Sequence, residues 1–294
     1  MWPTDRPPHW VGRRQELEVF RAATDALVRG EGAVVWVEGE PGIGKSALVA
    51  EGLAEAGGSG WDVGWGTADQ LRERLPLRVM LDCLQVRSNS PDPRRAHAAG
   101  LLHSRRQGLF ADGDASDTSI EVLVTLVDEL CAAAPTVMVI DDLQWADHES
   151  LIVWDQLAAS VDQLPLLLIA TCQSHPRRPE VRQLRAAVIR RGGEMIALGQ
   201  MAEADVATLV TTMVGSPPGD TLRQLTAQAS GNPLYLRELL DALVRERTAA
   251  PSRFRTSTAG RKPSGPSGRP VSSPSEAGTP TARQRLPPRC CGTG

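Results

Sequence analysis

Residues 33–56 join three pieces whose order restricts the fold more than any other feature of the chain. Ala33–Val37 (AVVWV) is a short apolar, β-branched run that suits a buried strand. Gly39-Glu40-Pro41-Gly42-Ile43-Gly44-Lys45-Ser46 follows it, a complete G-x-x-x-x-G-K-[ST], and Ser46–Ala56 then reads as a helix. Strand, glycine-rich turn and helix in that order open an α/β unit whose sheet is parallel.

The same alternation runs on to about residue 200. Glu16–Val28 places Leu17, Phe20, Leu27 and Val28 on one helical face. Strands are expected at Trp61–Thr67, Thr136–Ile140, Leu166–Thr171 and Glu194–Leu198. Helices are expected at Glu149–Ser160 and Glu180–Arg191, with a helix-rich but poorly bounded stretch over Gln70–Arg106. Thr118-x-x-Glu121 has the form of a capping box opening a helix through Leu130. From Ala202 only helices are expected: Ala202–Val214, Gly219–Ala229 and Pro233–Arg247, the last begun by a proline whose missing N–H costs nothing there. The fold class is therefore α/β, a parallel sheet flanked by helices (1–200), followed by a small helical domain (201–248).

From residue 249 the pattern stops. Of the 44 residues from Pro251 onward, 21 are Pro, Ser or Gly, a composition that cannot bury enough apolar surface to offset chain entropy, so 249–294 is expected to be a disordered, low-complexity tail. That tail holds eight Lys/Arg and one acid, a net of +7; the whole chain is −3, which leaves −10 on residues 1–250. An acidic body argues against a nucleic-acid groove, whose affinity rests on neutralising phosphates. No run approaches the ~18 apolar residues of a membrane span, no secretory leader is read, and the five cysteines lack paired spacing, so a cytoplasmic setting is expected. The histidines show no ligand spacing, and Asp112–Asp117 lacks the glycine and closing glutamate of a calcium loop.

The glycine-rich turn predicts nucleotide phosphate binding. Its glycines let successive backbone N–H groups face a β-phosphate, and the helix that follows adds the positive end of its dipole. Lys45 is expected to reach the β/γ-phosphates and Ser46 to ligate Mg²⁺. Lys45 is one of only two lysines among 32 basic residues, the other being Lys262 in the tail. Val137-Met138-Val139-Ile140-Asp141-Asp142 reads as a buried strand delivering carboxylates to the sheet edge beside that turn. Asp141 would serve the magnesium site, and Asp142 would polarise the attacking water. The plainer alternative is two acids that end a strand and cap the next helix. After Leu166–Thr171, Gln173 either reaches the γ-phosphate or is a solvated loop residue, and Cys172 reads as core packing.

Four blocks together resemble the STAND-type ATPase module, an AAA-like ATPase domain related to that of the origin recognition complex. The likeness is specifically to the N-terminal part of the large ATP-binding regulators of the LuxR type. The blocks are Trp10-Val11-Gly12-Arg13-x-x-Glu16-Leu17, the turn Gly39–Ser46, Asp141-Asp142-Leu143-Gln144-Trp145-Ala146-Asp147 and Ser230-Gly231-Asn232-Pro233-Leu234-Tyr235. The resemblance implies an ATP/ADP–Mg²⁺ switch in which the helical region is a lid. It implies that Val11, Gly12 and Arg13 lie against the adenine, that Gly39 through Ala47 hold the phosphates, and that Pro233 approaches the base. Two positions depart from the family: Gln144 stands where histidine is usual and Gln173 where arginine is usual.

In that family a helical-repeat sensor and a DNA-binding region follow the lid. Here the abrupt change after Arg247 predicts a truncation or frameshift near Thr248, with a genuine disordered tail as the alternative. The leading expectation is a regulatory ATP-binding switch with slow hydrolysis, capable of self-association and without DNA recognition or a membrane anchor of its own. The competing one is an interaction module that holds nucleotide and never turns it over. A cyclase-type effector is a third, but no segment with paired metal-binding aspartates is visible.

Overall fold

A computed structural model of the chain describes residues 10–54, 60–106 and 115–249. The tail Pro251–Gly294, and with it the question of its origin, lies outside the described residues, as does most of the acidic stretch before Asp117.

The expected alternation is present. In chain order the elements are α1 (Arg14–Val28), β1 (Ala33–Gly39), α2 (Lys45–Gly52), β2 (Asp62–Thr67), α3 (Arg78–Cys83), α4 (Pro93–Arg106), α5 (Ala115–Ala133), β3 (Thr136–Asp141), α6 (His148–Ser160), β4 (Leu166–Cys172), α7 (Pro179–Arg190), β5 (Glu194–Leu198), α8 (Glu203–Val214), α9 (Asp220–Ala227) and α10 (Pro233–Ala249). The strands form one parallel sheet in the order β2-β3-β4-β1-β5. β3 and β4 are buried along their whole length, as continuous apolar runs in a sheet covered on both faces require.

Side-chain alternation along the strands sorts the core into two layers. Val35, Val37, Val137, Val139, Leu167 and Ile169 face α1 and α2, meeting Phe20, Leu27, Leu48 and Val49. Trp36, Met138, Ile140, Leu168 and Ala170 face the opposite layer, with Leu123 and Val127 of α5, Trp154 and Leu157 of α6 and Leu184 of α7. Trp36 and Trp154 meet edge to face there, centroids 5.8 Å apart.

One sequence expectation is corrected. Thr118 does not cap a helix: α5 begins three residues earlier, at Ala115, so Thr118 and Glu121 both lie inside it. The stretch 70–106 is helix-rich as expected, and its bounds are now set: a 3₁₀ turn at Gln70–Arg72, the short α3, and α4 opened by Pro93. Leu77 and Gln85, both with left-handed backbone, bracket α3 and supply the breaks that periodicity did not reveal.

Candidate functional site

The glycine-rich turn sits between the end of β1 and the start of α2, as its sequence requires. Gly42 and Gly44 take positive φ values of 77° and 100°, conformations that L side chains rarely adopt. The Lys45 ammonium is buried and donates to the carbonyl oxygens of Gly39 and Glu40, both at 3.1 Å. An ammonium has three N–H groups, so one remains beyond these two bonds.

Asp141 ends β3, and β4 separates that strand from β1. The two motifs nonetheless touch: the Ser46 hydroxyl donates to Asp141 Oδ1 at 2.9 Å. Thr171, buried at the end of β4, donates to the same oxygen at 2.6 Å and accepts the backbone N–H of Asp142 at 2.9 Å. Burial pushes the Asp141 carboxyl above its ordinary range. The Thr171 and Ser46 hydrogen bonds pull it back, while Asp142 adds to the rise and Lys45 opposes it.

Asp142 has left-handed backbone (φ 57°) and leads into a 3₁₀ turn at Leu143–Trp145. The amide of buried Gln144 donates to Asp142 Oδ1 at 2.9 Å, and its oxygen accepts the backbone N–H of Gln173 at 3.2 Å. Gln144 thus ties the loop after β3 to the loop after β4. Asp147 finishes the motif by capping α6: its carboxylate accepts from Ser150 N and Ser150 Oγ and from Leu77 N, which fastens α3 to the same corner.

These groups open onto a cavity of about 540 Å³, within the range of small-molecule sites. Of the sequence-predicted residues, Val11, Arg13, Pro41, Gly42, Ile43, Gly44, Lys45, Ser46, Ala47, Asp142, Gln173 and Pro233 line it. Gly39, Glu40, Gly12 and Asp141 are not on its wall. Asp141 stands behind Ser46, and Gly12 is closed off by Asp205 of α8, whose carboxylate would lie 2.5 Å from a Cβ at that position. The Arg13 guanidinium bonds the Gly199 carbonyl and pairs with Glu16 at 3.3 Å, so its charge is already engaged.

Sequence reasoning missed part of the wall. Trp145, Leu198, Met201, Leu209 and Met213 add an apolar side to Trp10 of the opening block, and Arg237, one turn after Pro233 on α10, adds a cation. Spacing on α10 could have found Arg237. Thr171 gave no signal, because a threonine ending an apolar run reads as an ordinary strand residue.

Ser46 and Asp141 are hard oxygen donors set beside a lysine and a glycine-rich turn, and such a set suits Mg²⁺ completed by phosphate oxygens. Among the described residues no three His, Cys, Asp or Glu side chains cluster to hold a metal alone.

The chain is similar to several known proteins. The ORC2 protein of Aeropyrum pernix, solved with ADPNP and ADP, superposes with a TM-score of 0.55 at 17% identity, covering 84% of this chain and 65% of that one. The ORC1 protein of the same organism, in complex with DNA, gives 0.53 at 17% identity, covering 84% and 63%. A STAND protein with a tetratricopeptide-repeat sensor from Pyrococcus horikoshii gives 0.45 at 18% identity, covering 80% and 30%. An uncharacterized protein of Rhizobium meliloti (strain 1021) is 22% identical over 196 residues, which are 55% of this chain and 18% of that protein. The chain thus spans under two thirds of the length of each of these proteins. The ORC superpositions show the shared fold, a parallel sheet flanked by helices. The model of the AAA ATPase domain matches residues 9–169, more than half of the 294, and the chain belongs to that family.

Proposed function

We propose that this chain is an ATP-binding regulatory switch that binds ATP or ADP with Mg²⁺ and hydrolyses ATP slowly. The observation that carries the reading is the 2.9 Å hydrogen bond from Ser46 to Asp141, which brings the two motifs of a phosphate–magnesium site together. Lys45 and the N-terminus of α2 supply positive potential for the phosphates, and Ser46 with Asp141 would hold the ion, which neutralises phosphate charge when bound. The apolar wall of Trp10, Val11, Met201, Leu209 and Met213 suits a purine, with Pro233 closing it from α10. Asp142 borders the cavity and serves as the base toward water.

The four sequence blocks support a further step, that the chain is the N-terminal part of a cytoplasmic LuxR-type regulator with α8–α10 as its lid and the capacity to self-associate. Recognition of a DNA sequence is not part of this reading. A second reading, a nucleotide-binding module that does not hydrolyse, is favoured by the Gln144 amide that engages the Asp142 carboxylate.

Calorimetry with Mg²⁺–ATP and Mg²⁺–ADP tests the site, and a phosphate-release assay separates the two readings. Measurable affinity with slow release supports the switch. Affinity without release supports the second reading, and no affinity for either nucleotide sinks both.

A further inference from the structure

Four consecutive carbonyl oxygens of the glycine-rich turn, from Gly39 to Gly42, each accept a hydrogen bond, and the donors come from two places. Lys45, within the motif, takes Gly39 and Glu40. The start of α10 takes the other two: Asn232 Nδ2 donates to the Pro41 carbonyl at 3.0 Å, and the Leu234 N–H donates to that of Gly42 at 3.3 Å. Asn232 is buried, and its Oδ1 also accepts the Leu234 N–H at 3.1 Å, so one side chain caps α10 and grips the turn. The fit is close. A Cβ on Gly42 would stand 2.9 Å from the Leu234 Cβ and 3.0 Å from Asn232 Oδ1.

A trans peptide unit is planar, with its N–H opposite its carbonyl. Holding the Pro41 carbonyl toward α10 therefore fixes the N–H of Gly42 facing away from Asn232, at the glycine where the turn curls. Backbone N–H groups of this turn are what a β-phosphate binds, so a fixed turn binds it without first being ordered. We propose that Asn232 is a positioning residue that pre-organises the phosphate turn from the lid, making β-phosphate affinity depend on lid contact. By reciprocity, nucleotide in the cradle steadies the lid. The inference rests on the nucleotide-binding reading above.

Asn232→Ser separates the two roles of the side chain, because serine caps a helix as well as asparagine but cannot reach the Pro41 carbonyl. Hydrogen exchange of the nucleotide-free full chain reads the grip directly, and calorimetry reads its consequence. The expected result is a near-unchanged melting temperature, faster exchange in the peptide spanning 39–46, and ADP affinity lowered about tenfold, the scale of one hydrogen bond. AMP, which has no β-phosphate, should lose less than ADP. Unchanged exchange over 39–46 overturns the proposal whatever nucleotide does. Faster exchange with unchanged ADP affinity overturns it too, as does an equal loss for AMP and ADP. If the wild-type chain binds no ADP, the reading of the site fails, and exchange alone still decides whether Asn232 holds the turn.

Discussion

Thr171 donates to Asp141 across 2.6 Å, and the same hydroxyl accepts the backbone N–H of Asp142. One buried side chain on the middle strand thereby sets the position of both acids. Replacing it with valine keeps the shape and removes the hydroxyl, which leaves a partly buried N–H without its partner. Thr171→Val should cost about 1–3 kcal/mol of stability and slow ATP turnover, while Thr171→Ser restores both. Denaturant unfolding and phosphate release check this. A valine variant as stable and as active as wild type would make the hydroxyl irrelevant.

Lys45→Ala should weaken ATP and ADP binding by about 2 kcal/mol or more, since a charge-assisted contact to phosphate is removed. Arg237 also borders the cavity, and Arg13 is engaged by Glu16 and Gly199. Equal ATP affinity in both proteins by calorimetry would refute the assignment of the phosphate site.

Asp142→Asn should leave ATP affinity nearly intact and slow hydrolysis ~10²-fold or more, the scale of a lost general base. Asparagine keeps the oxygen that accepts from Gln144, so the loop geometry survives the substitution. An unchanged rate of phosphate release would reduce Asp142 to a structural residue.

Asp141→Asn should stabilise the nucleotide-free protein while removing the magnesium dependence of nucleotide binding. Burial holds this carboxyl above its ordinary pKa, so the folded state binds its proton more tightly than the unfolded chain does. The ionised form is therefore a burden on folding that is full above the raised value and vanishes as pH falls toward the ordinary 3.8. Melting temperatures of the two proteins should differ at neutral pH and converge in acid. A neutral-pH melting temperature lowered by the substitution contradicts this.

Much of the fold was legible because it is written in local patterns. Strand, turn and helix succeed one another within residues 33–52, and the apolar runs of β3 and β4 could belong only to a covered sheet. The start of α5 was not legible: Thr118-x-x-Glu121 has the form of a cap, yet the helix already runs from Ala115. The site divided the same way. Lys45, Ser46, Asp141 and Asp142 announce themselves by motif. Thr171 matters only because the register that pairs Ile140 with Ala170 brings it beside Asp141, and Asn232 acts on a carbonyl 191 residues away. Contacts of that range leave no trace in periodicity or composition.

Cys83 and Cys172 should resist alkylation in the folded protein at about pH 8, because a buried thiol far below its pKa offers almost no thiolate. Burial pushes each up to about 12. Peptide mass spectrometry after native and denatured labelling reads this directly. Rapid native labelling of Cys172 would mean that the end of β4 opens to solvent.

The order of strands also has a consequence for synthesis. β1, which carries the phosphate turn, and β3, which carries the acids, never pair with each other; β4 lies between them and is made after both. A nascent chain that has not yet emerged past Leu166 holds every residue from Lys45 to Asp142 yet lacks the wedge that brings Ser46 and Asp141 into register. On the proposed function, a nucleotide that needs Ser46 and Asp141 together would stabilise only a sheet already closed by this late, non-local pairing.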